Sequence, residues 1–340
     1  MDLDCRHSLF ARGNEFLGTT YPIMGGAMTW LSERNLVSAI SNAGGFGIIA
    51  CGSMQSEQLG EEIEATQKMT NKPFGVNLIL LHPDIDDLIE CCISKKVELV
   101  VFAGGFPKKR QIELLKSKGI KTMCFATTLS IAKKMILYGI DSLVLEGSEA
   151  GGHIGPVSIN VLIQDILPEI KEVPVFVAGG IGRGEIILKF LQLGASGCQI
   201  GTRFVCATES IAHENFKKIF IKSEARNAQV SVKLDERFPI IPVRAIENSA
   251  TKEFVNEQKK LLSLIDKKKI SLREAQLEIE HFWAGSLKNA VIDGDIENGS
   301  LMAGQSVSMV KEIQPVTKIF SDLLMQIDKQ LISERRNHHA

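Results

Sequence analysis

The residues best suited to chemistry lie in one short run: Glu146-Gly147-Ser148-Glu149-Ala150-Gly151-Gly152-His153-Ile154-Gly155. Four glycines surround a single histidine, so the backbone here is shaped to approach something closely. An imidazole can donate or accept a proton near neutral pH, which makes His153 the candidate acid or base. The bland alternative, a satisfied structural histidine, suits His7, His82, His338 and His339, and His213 and His281 read as surface or packing residues.

Two further clusters could hold an anion. One is Ala178-Gly179-Gly180-Ile181-Gly182; the other is Gln199-Ile200-Gly201-Thr202. Glycines let backbone N–H groups reach a phosphate, and a following helix adds its positive end. Either cluster alone could be a tight turn. Their presence in consecutive units favours a phosphate cradle of Gly179, Gly180, Gly201 and Thr202. Asn77, in Phe74-Gly75-Val76-Asn77-Leu78, is a polar amide in an apolar run and needs partners for both donor and acceptor. Neighbouring backbone could supply them, and so could the edge of a flavin ring. Gly25-Gly26-Ala27-Met28 brings backbone towards a flat ligand. Gly299–Gln305, which includes Met302, either covers that ligand or is a plain turn.

These sites need a scaffold. Short apolar runs recur at Tyr21–Gly25, Phe46–Ala50, Phe74–Leu80, Leu99–Ala103, Lys121–Ala126, Ser142–Leu145, Val173–Ala178 and Gly197–Ile200. Between them lie helical patterns: Ser32–Ala43 with a serine cap, Ser56–Gln67, Asp84–Lys95, Lys108–Ser117, Ser130–Leu137, Ser158–Ile170 and Gly184–Leu193, with a further helix open from Glu209. Strands apolar on both faces mark a parallel sheet. Eight strand–helix units close into a (β/α)8 TIM barrel. A doubly wound open sheet is the rival, but no G-x-G-x-x-G follows the first strand. The barrel is assigned to 1-211 and 298-340. Residues 212-297, with charged helices at Ala250–Ile265 and Ser271–Phe282, are read as an appended smaller helical substrate domain or lid, and Val307–Leu331 as a closing helix that packs on the barrel. Active sites of such barrels sit at the carboxyl ends of the strands, where all the clusters above fall.

Bulk properties exclude several classes. The 340 residues are 44% hydrophobic and 23% charged with a formal net charge of −1, so a large core is expected and no basic face for nucleic acid. Seven scattered cysteines (5, 51, 91, 92, 124, 198, 206) show neither a disulfide framework nor C-x-x-C metal spacing, and Cys51 reads as a small packed residue. Met1–Arg12 has no signal-peptide run, and no segment spans a bilayer. The expected setting is cytoplasmic, without membrane or structural metal. Apolar residues on the lid helices and barrel face are compatible with a homodimer.

The chain resembles the family of flavin-dependent (type II) enoyl-acyl-carrier-protein reductases and nitronate monooxygenases, formerly 2-nitropropane dioxygenases, from about Tyr21 to Val310. The matching motifs are Tyr21-Pro22-Ile23, Asn42–Gly47, Lys72–Asn77, the Glu149–Gly155 loop, Ala178–Ile181, Gln199–Phe204 and Met302-Ala303-Gly304-Gln305. The resemblance implies non-covalent FMN. Asn77 would meet the flavin ring, and Gln199 and Ile200 would lie beside it with Gly26, Ala27 and Met28. Glu149, Gly151 and Gly152, on the loop that carries catalytic His153, would also bind the cofactor. Gly179, Gly180, Gly201 and Thr202 would hold the phosphate, and Met302 and Gln305 would flank the isoalloxazine. Two activities share this frame: reduction of a trans-2-enoyl thioester by NADH or NADPH, the substrate being a small molecule or linked to acyl carrier protein in fatty acid synthesis, and oxidation of alkyl nitronates by oxygen without NADH. Gly201-Thr202-Arg203-Phe204, Val243-Arg244-Ala245-Ile246 and the run from Asp293 to Gln305 favour the reductase. Ile154-Gly155-Pro156-Val157-Ser158 and Ala103-Gly104-Gly105-Phe106-Pro107 depart from its pattern. A non-catalytic flavin-binding module and an IMP dehydrogenase-like barrel with a cysteine nucleophile are the remaining readings.

Overall fold

The computed structural model describes residues 2–237 and 240–338. Helix α1 (Asp2–Leu17) comes first, followed by the alternation read from the sequence. The strands are β1 (Ile23–Gly25), β2 (Gly47–Ala50), β3 (Phe74–Ile79), β4 (Leu99–Ala103), β5 (Lys121–Phe125), β6 (Ser142–Glu146), the short β7 (Gly152–His153), β8 (Val175–Ala178) and β9 (Gly197–Ile200). Between them run α2 (Arg34–Asn42), α3 (Ser56–Met69), α4 (Ile85–Ser94), α5 (Lys109–Ser117), α6 (Leu129–Leu137), α7 (Ile159–Ile166) and α8 (Gly184–Gln192). Every strand of the main sheet pairs parallel with its neighbour in the order β1-β9-β8-β6-β5-β4-β3-β2. A parallel bridge from Met24 to Phe46 closes the ring, with Gly25 N–H donating to Phe46 O at 2.9 Å. The fold is therefore a TIM barrel.

The pleat sorts the side chains into two layers. Met24, Phe46, Ile48, Leu99, Val101, Met123, Val144, Phe176 and Ala178 fill the lumen as one buried cluster. Alternate residues face the surrounding helices in a larger cluster that includes Ile49, Val76, Val100, Cys124, Leu143, Val177 and Cys198. Helix α1 stops the amino-terminal end. Its Leu17 and Phe16 join the lumen cluster, and the Phe16 ring lies 6.0 Å from that of Phe176. The sequence reading missed this helix, because Met1–Arg12 carries no strong apolar stripe; Met1 itself lies outside the described residues. Another correction concerns Ser32. The cap of α2 is Glu33, which accepts from Asn35 N and Leu36 N, while Ser32 Oγ donates to Gly26 O at 2.7 Å and accepts from Met28 N at 3.0 Å. The serine shapes the loop after β1 instead of starting the helix.

After β9 come the short α9 (Thr202–Val205), α10 (Glu214–Lys222), β10 (Ala228–Val230), β11 (Val243–Ile246), α11 (Ser249–Asp266), α12 (Leu272–Val291), β12 (Leu301–Met302) and α13 (Val316–His338). The appended region is not wholly helical. Strands β10, β11 and β12 form a small antiparallel sheet in which β11 also pairs with β7. Helices α11 and α12 bury Phe254, Leu261, Ala275, Ile279 and Trp283 in a core of their own, with the Phe254 and Trp283 rings 4.3 Å apart. Helix α13 packs on the barrel as expected, with Phe320 against Tyr21 and Phe204. No described helix is long and apolar enough to cross a membrane.

Phe176 is 0% exposed at the heart of the lumen. Phe176→Ala leaves a cavity that rigid β-strands cannot collapse. It should cost about 3–5 kcal/mol, read as a lower urea midpoint at unchanged slope.

Candidate active site

The loop after β6 is held from four sides. Its Gly147 N donates to Ala178 O at 3.0 Å, and Ser148 N donates to Val157 O at 2.8 Å. Glu149 Oε2 accepts from Ile159 N at 3.0 Å, at the start of α7. Glu149 O accepts from Gln305 N at 2.9 Å, and Gly304 N donates to Thr202 Oγ1 at 3.0 Å. The segment 302–305 thus lies across the loop and reaches the tip of β9. A Cβ on Gly151 would sit 2.5 Å from Gly304 N, and one on Gly304 would sit 2.8 Å from Glu149 O. Only glycine permits this contact. At the next tip, Gly179 and Gly180 have φ of +91° and +69°, the left-handed region that favours glycine. Gly26 N donates to Ile200 O at 2.8 Å, which sets the β1 tip against Gly201.

The structure brings together the residues read from the sequence. Glu149, Gly151, Gly179, Gly180, Thr202 and the segment from Met302 to Gln305 form one rim, with Gly26, Ile200 and Gly201 at its neighbouring edge. Asn77 and Gln199 enter from the lumen. Strand register shows why: Asn77 lies opposite Ala50 and Val101, and Gln199 opposite Ala178 and Met24, all on the inward face. Both are buried, at 6% and 8% exposure. Asn77 Nδ2 donates to Val101 O at 3.2 Å, so its neighbouring backbone satisfies one donor. A second amide proton and Oδ1 remain for a ligand. A rim of glycine backbone above a lumen of neutral amides fits the phosphate and ring edge of a flavin mononucleotide.

His153 is placed differently from a residue on a free loop. It lies on β7, opposite Val243 of β11. Its Nε2 is 3.2 Å from Glu280 Oε2 of α12, an ion-pair distance without hydrogen-bond alignment. The imidazole is 37% exposed and the carboxylate 27%, but Nε2 itself is buried. Cys51, by contrast, is buried beneath the rim with its Sγ on Asn77 O, and burial pushes its thiol up to about 12. It is a packing residue, as the sequence suggested.

Two residues here were not assigned from the sequence. Arg244 on β11 is buried; it donates Nε and Nη2 to Ser148 O at 3.0 and 2.8 Å and Nη1 to Ala228 O at 2.5 Å. Burial draws the guanidinium pKa down, and the nearby Glu149 carboxylate opposes that effect. Arg244 therefore ties the histidine loop to the small sheet. The sequence signals were its position in an apolar four-residue strand and the run Val243-Arg244-Ala245-Ile246 that resembles the reductase. Glu146, at the tip of β6, lies opposite inward-facing Ala178. Burial alone pushes its carboxyl up to about 8. A signal existed in the sequence: an acidic residue ends an otherwise apolar strand.

Arg244→Met should orphan two buried carbonyls and cost roughly 2–5 kcal/mol. Amide exchange should quicken across 148–154 while β2–β4 stay protected. Arg244→Lys should not restore the loop, because an ammonium cannot span both carbonyls as the fork does.

Residues 12–92 and 86–326 match the family model described as nitronate monooxygenase. The (3aS,4S,5R,7aS)-5-hydroxy-7a-methyl-1-oxo-octahydro-1H-indene-4-carboxyl-CoA dehydrogenase of Rhodococcus jostii is 33% identical over 221 residues, which are 65% of this chain and 62% of that protein. The chain spans the same 62% of the equivalent dehydrogenase from Mycobacterium tuberculosis. A probable nitronate monooxygenase of Staphylococcus saprophyticus is 30% identical over 294 residues, covering 73% of this chain and 81% of that one. Among solved structures, FabK from Thermotoga maritima matches with a TM-score of 0.84 and 34% identity, over 96% of this chain and 98% of its own. Nitroalkane oxidase from Streptomyces ansochromogenes, at 24% identity and a TM-score of 0.76, over 93% of this chain and 98% of its own, shares the fold. With the family model covering most of the barrel and the lid, the chain belongs to the nitronate monooxygenase family of FMN-dependent oxidoreductases.

Proposed function

We propose that this chain is an FMN-dependent reductase of α,β-unsaturated thioesters that takes electrons from NADH or NADPH. The observation that carries this reading is the likeness to FabK, an enoyl-acyl-carrier-protein reductase, over almost the whole of both chains. The indene-carboxyl-CoA dehydrogenases add weight, since their named substrate is also an acyl thioester.

Bound FMN would supply hydride transfer to the β-carbon of the enoyl group. The chain's own residues would do the rest. Backbone at Gly179, Gly180 and Gly201, with the Thr202 hydroxyl, would hold the phosphate. Asn77 and Gln199 would meet the polar edge of the ring, and Met302 and Gln305 would flank it. The rim would keep the ring at the lumen mouth, where the apolar layer below excludes water. Nε2 of His153 faces Glu280 Oε2, and the exposed part of the imidazole would meet the thioester. From there the imidazole can orient the carbonyl oxygen or serve proton delivery to the α-carbon.

A second reading, oxidation of alkyl nitronates by oxygen, is favoured by the staphylococcal relative. In it His153 would anchor the nitro group or act as base, and NADH would not be needed.

Two assays separate these readings. NADH oxidation driven by crotonyl or longer enoyl thioesters is expected; oxygen uptake with a nitronate and no NADH, in the absence of thioester reduction, would reverse the assignment. His153→Ala should retain flavin and lower turnover by about 10²-fold or more. Gly201→Val should instead release flavin, seen as loss of visible absorbance after gel filtration.

A further inference from the structure

The tip of β6 carries a carboxyl that the reading above does not use. Glu146 pairs in register with Ala178, two residues beyond lumen-facing Val144. The pleat therefore turns its side chain into the mouth of the barrel, on the same inward face as Asn77 and Gln199. Its register partner on β8 is Ala178, and Gln199 on β9 pairs with Ala178 in turn, so the groups next to it along the ladder are neutral. Among the described residues its carboxyl makes no hydrogen bond and no ion pair. The nearby charged groups are engaged elsewhere. Glu149 turns to Ile159 N, Arg244 to Ser148 O, and His153 to Glu280. Glu146 is half-buried, and an unpaired carboxylate in so apolar a setting is costly, so such a group becomes neutral or takes a ligand. Burial has already moved its titration into the neutral-to-alkaline range.

We propose that Glu146 is a protonated carboxylic acid that donates a hydrogen bond to an acceptor on the edge of the FMN ring, beside the amides of Asn77 and Gln199. The proposal rests on the flavin reading and deepens it. A neutral carboxyl presents one donor and one acceptor side by side, the complement of a ring edge that alternates carbonyl and N–H groups. Ionised, it would present only acceptors and a negative charge to the same edge.

The test is FMN affinity of the apoprotein against pH, from about 6.5 to about 9.5. If only the protonated form donates, the dissociation constant is flat at low pH. It then rises by up to about tenfold per pH unit above the carboxyl's own titration near 8. Glu146→Gln keeps a donor and an acceptor without a titrating proton, so its curve should lack that rise; the ionisations of FMN itself affect both proteins alike. Infrared difference spectra of the wild-type holoenzyme supply a measurement independent of the variant. A protonated-carboxyl band should be present near neutral pH and sensitive to flavin binding. Equal pH curves for both proteins, or no such band, would overturn the role of Glu146 while leaving the flavin site intact. Failure to bind FMN at any pH would instead sink the flavin reading on which it stands.

Discussion

Backbone meeting backbone at the mouth of the barrel is the constraint on which the site depends. Gly151 lies against Ala303 and Gly304, and Gly304 in turn lies against Glu149 O and Thr202 Oγ1. No side chain fits between them, so segments some 150 residues apart in sequence share one layer of hydrogen bonds. Because Gln305 N is bonded to Glu149 O, the segment that crosses the rim cannot move without the histidine loop. The same loop is tied through Arg244 and the β7–β11 pairing to the small sheet. The small sheet, rim and candidate imidazole form a single bonded unit, which keeps His153 at a defined place.

The lumen divides by depth. Its lower layers are Phe, Met, Leu and Val, and α1 plugs the far end. Towards the top the inward residues become polar, as Asn77, Glu146 and Gln199 on β3, β6 and β9. This stacking matters for electrostatics. The apolar column beneath prevents water from reaching these groups from below, so their polar partners must come from the mouth. One donor of Asn77 is satisfied by Val101 O, but the Glu146 carboxyl has no such backbone partner. The same dryness that makes the site suitable for a flat cofactor is what raises the carboxyl.

Much of this was legible in the residues. Seven of the eight barrel strands fall within the apolar runs and β6 passes its run by one residue, Glu146, since strands buried on both faces leave an unbroken signal. The rim was legible because glycine has few reasons to recur at consecutive strand tips. Other features were not. Strands β7 and β12 have two residues each, too short to establish any alternation, so the region around them read as helical or loop. Ser32 looked like a helix cap because capping and loop-bracing serines share the same local sequence. Only the distant partner Gly26 distinguishes them. Glu146 stood inside the most informative string of the chain, yet its significance depends on the inward phase of β6, which requires the register with β8.

The appended region is attached to the barrel at a second point. Trp30, in the loop after β1, has φ of +68°, a conformation that costs a bulky residue of order 1–3 kcal/mol. Its Nε1 donates to Ala284 O of α12 at 2.9 Å, and Lys288 Nζ lies 5.3 Å from the centre of its ring. These contacts offset the strain only while α12 is docked. Helix α12 also carries Glu280, so the helix turn that holds the strained tryptophan sits one turn from the carboxylate facing His153. The loop after β1, the lid helix and the imidazole are therefore set by one docking geometry. The fit of α12 against Trp30 is therefore a determinant of how His153 is presented.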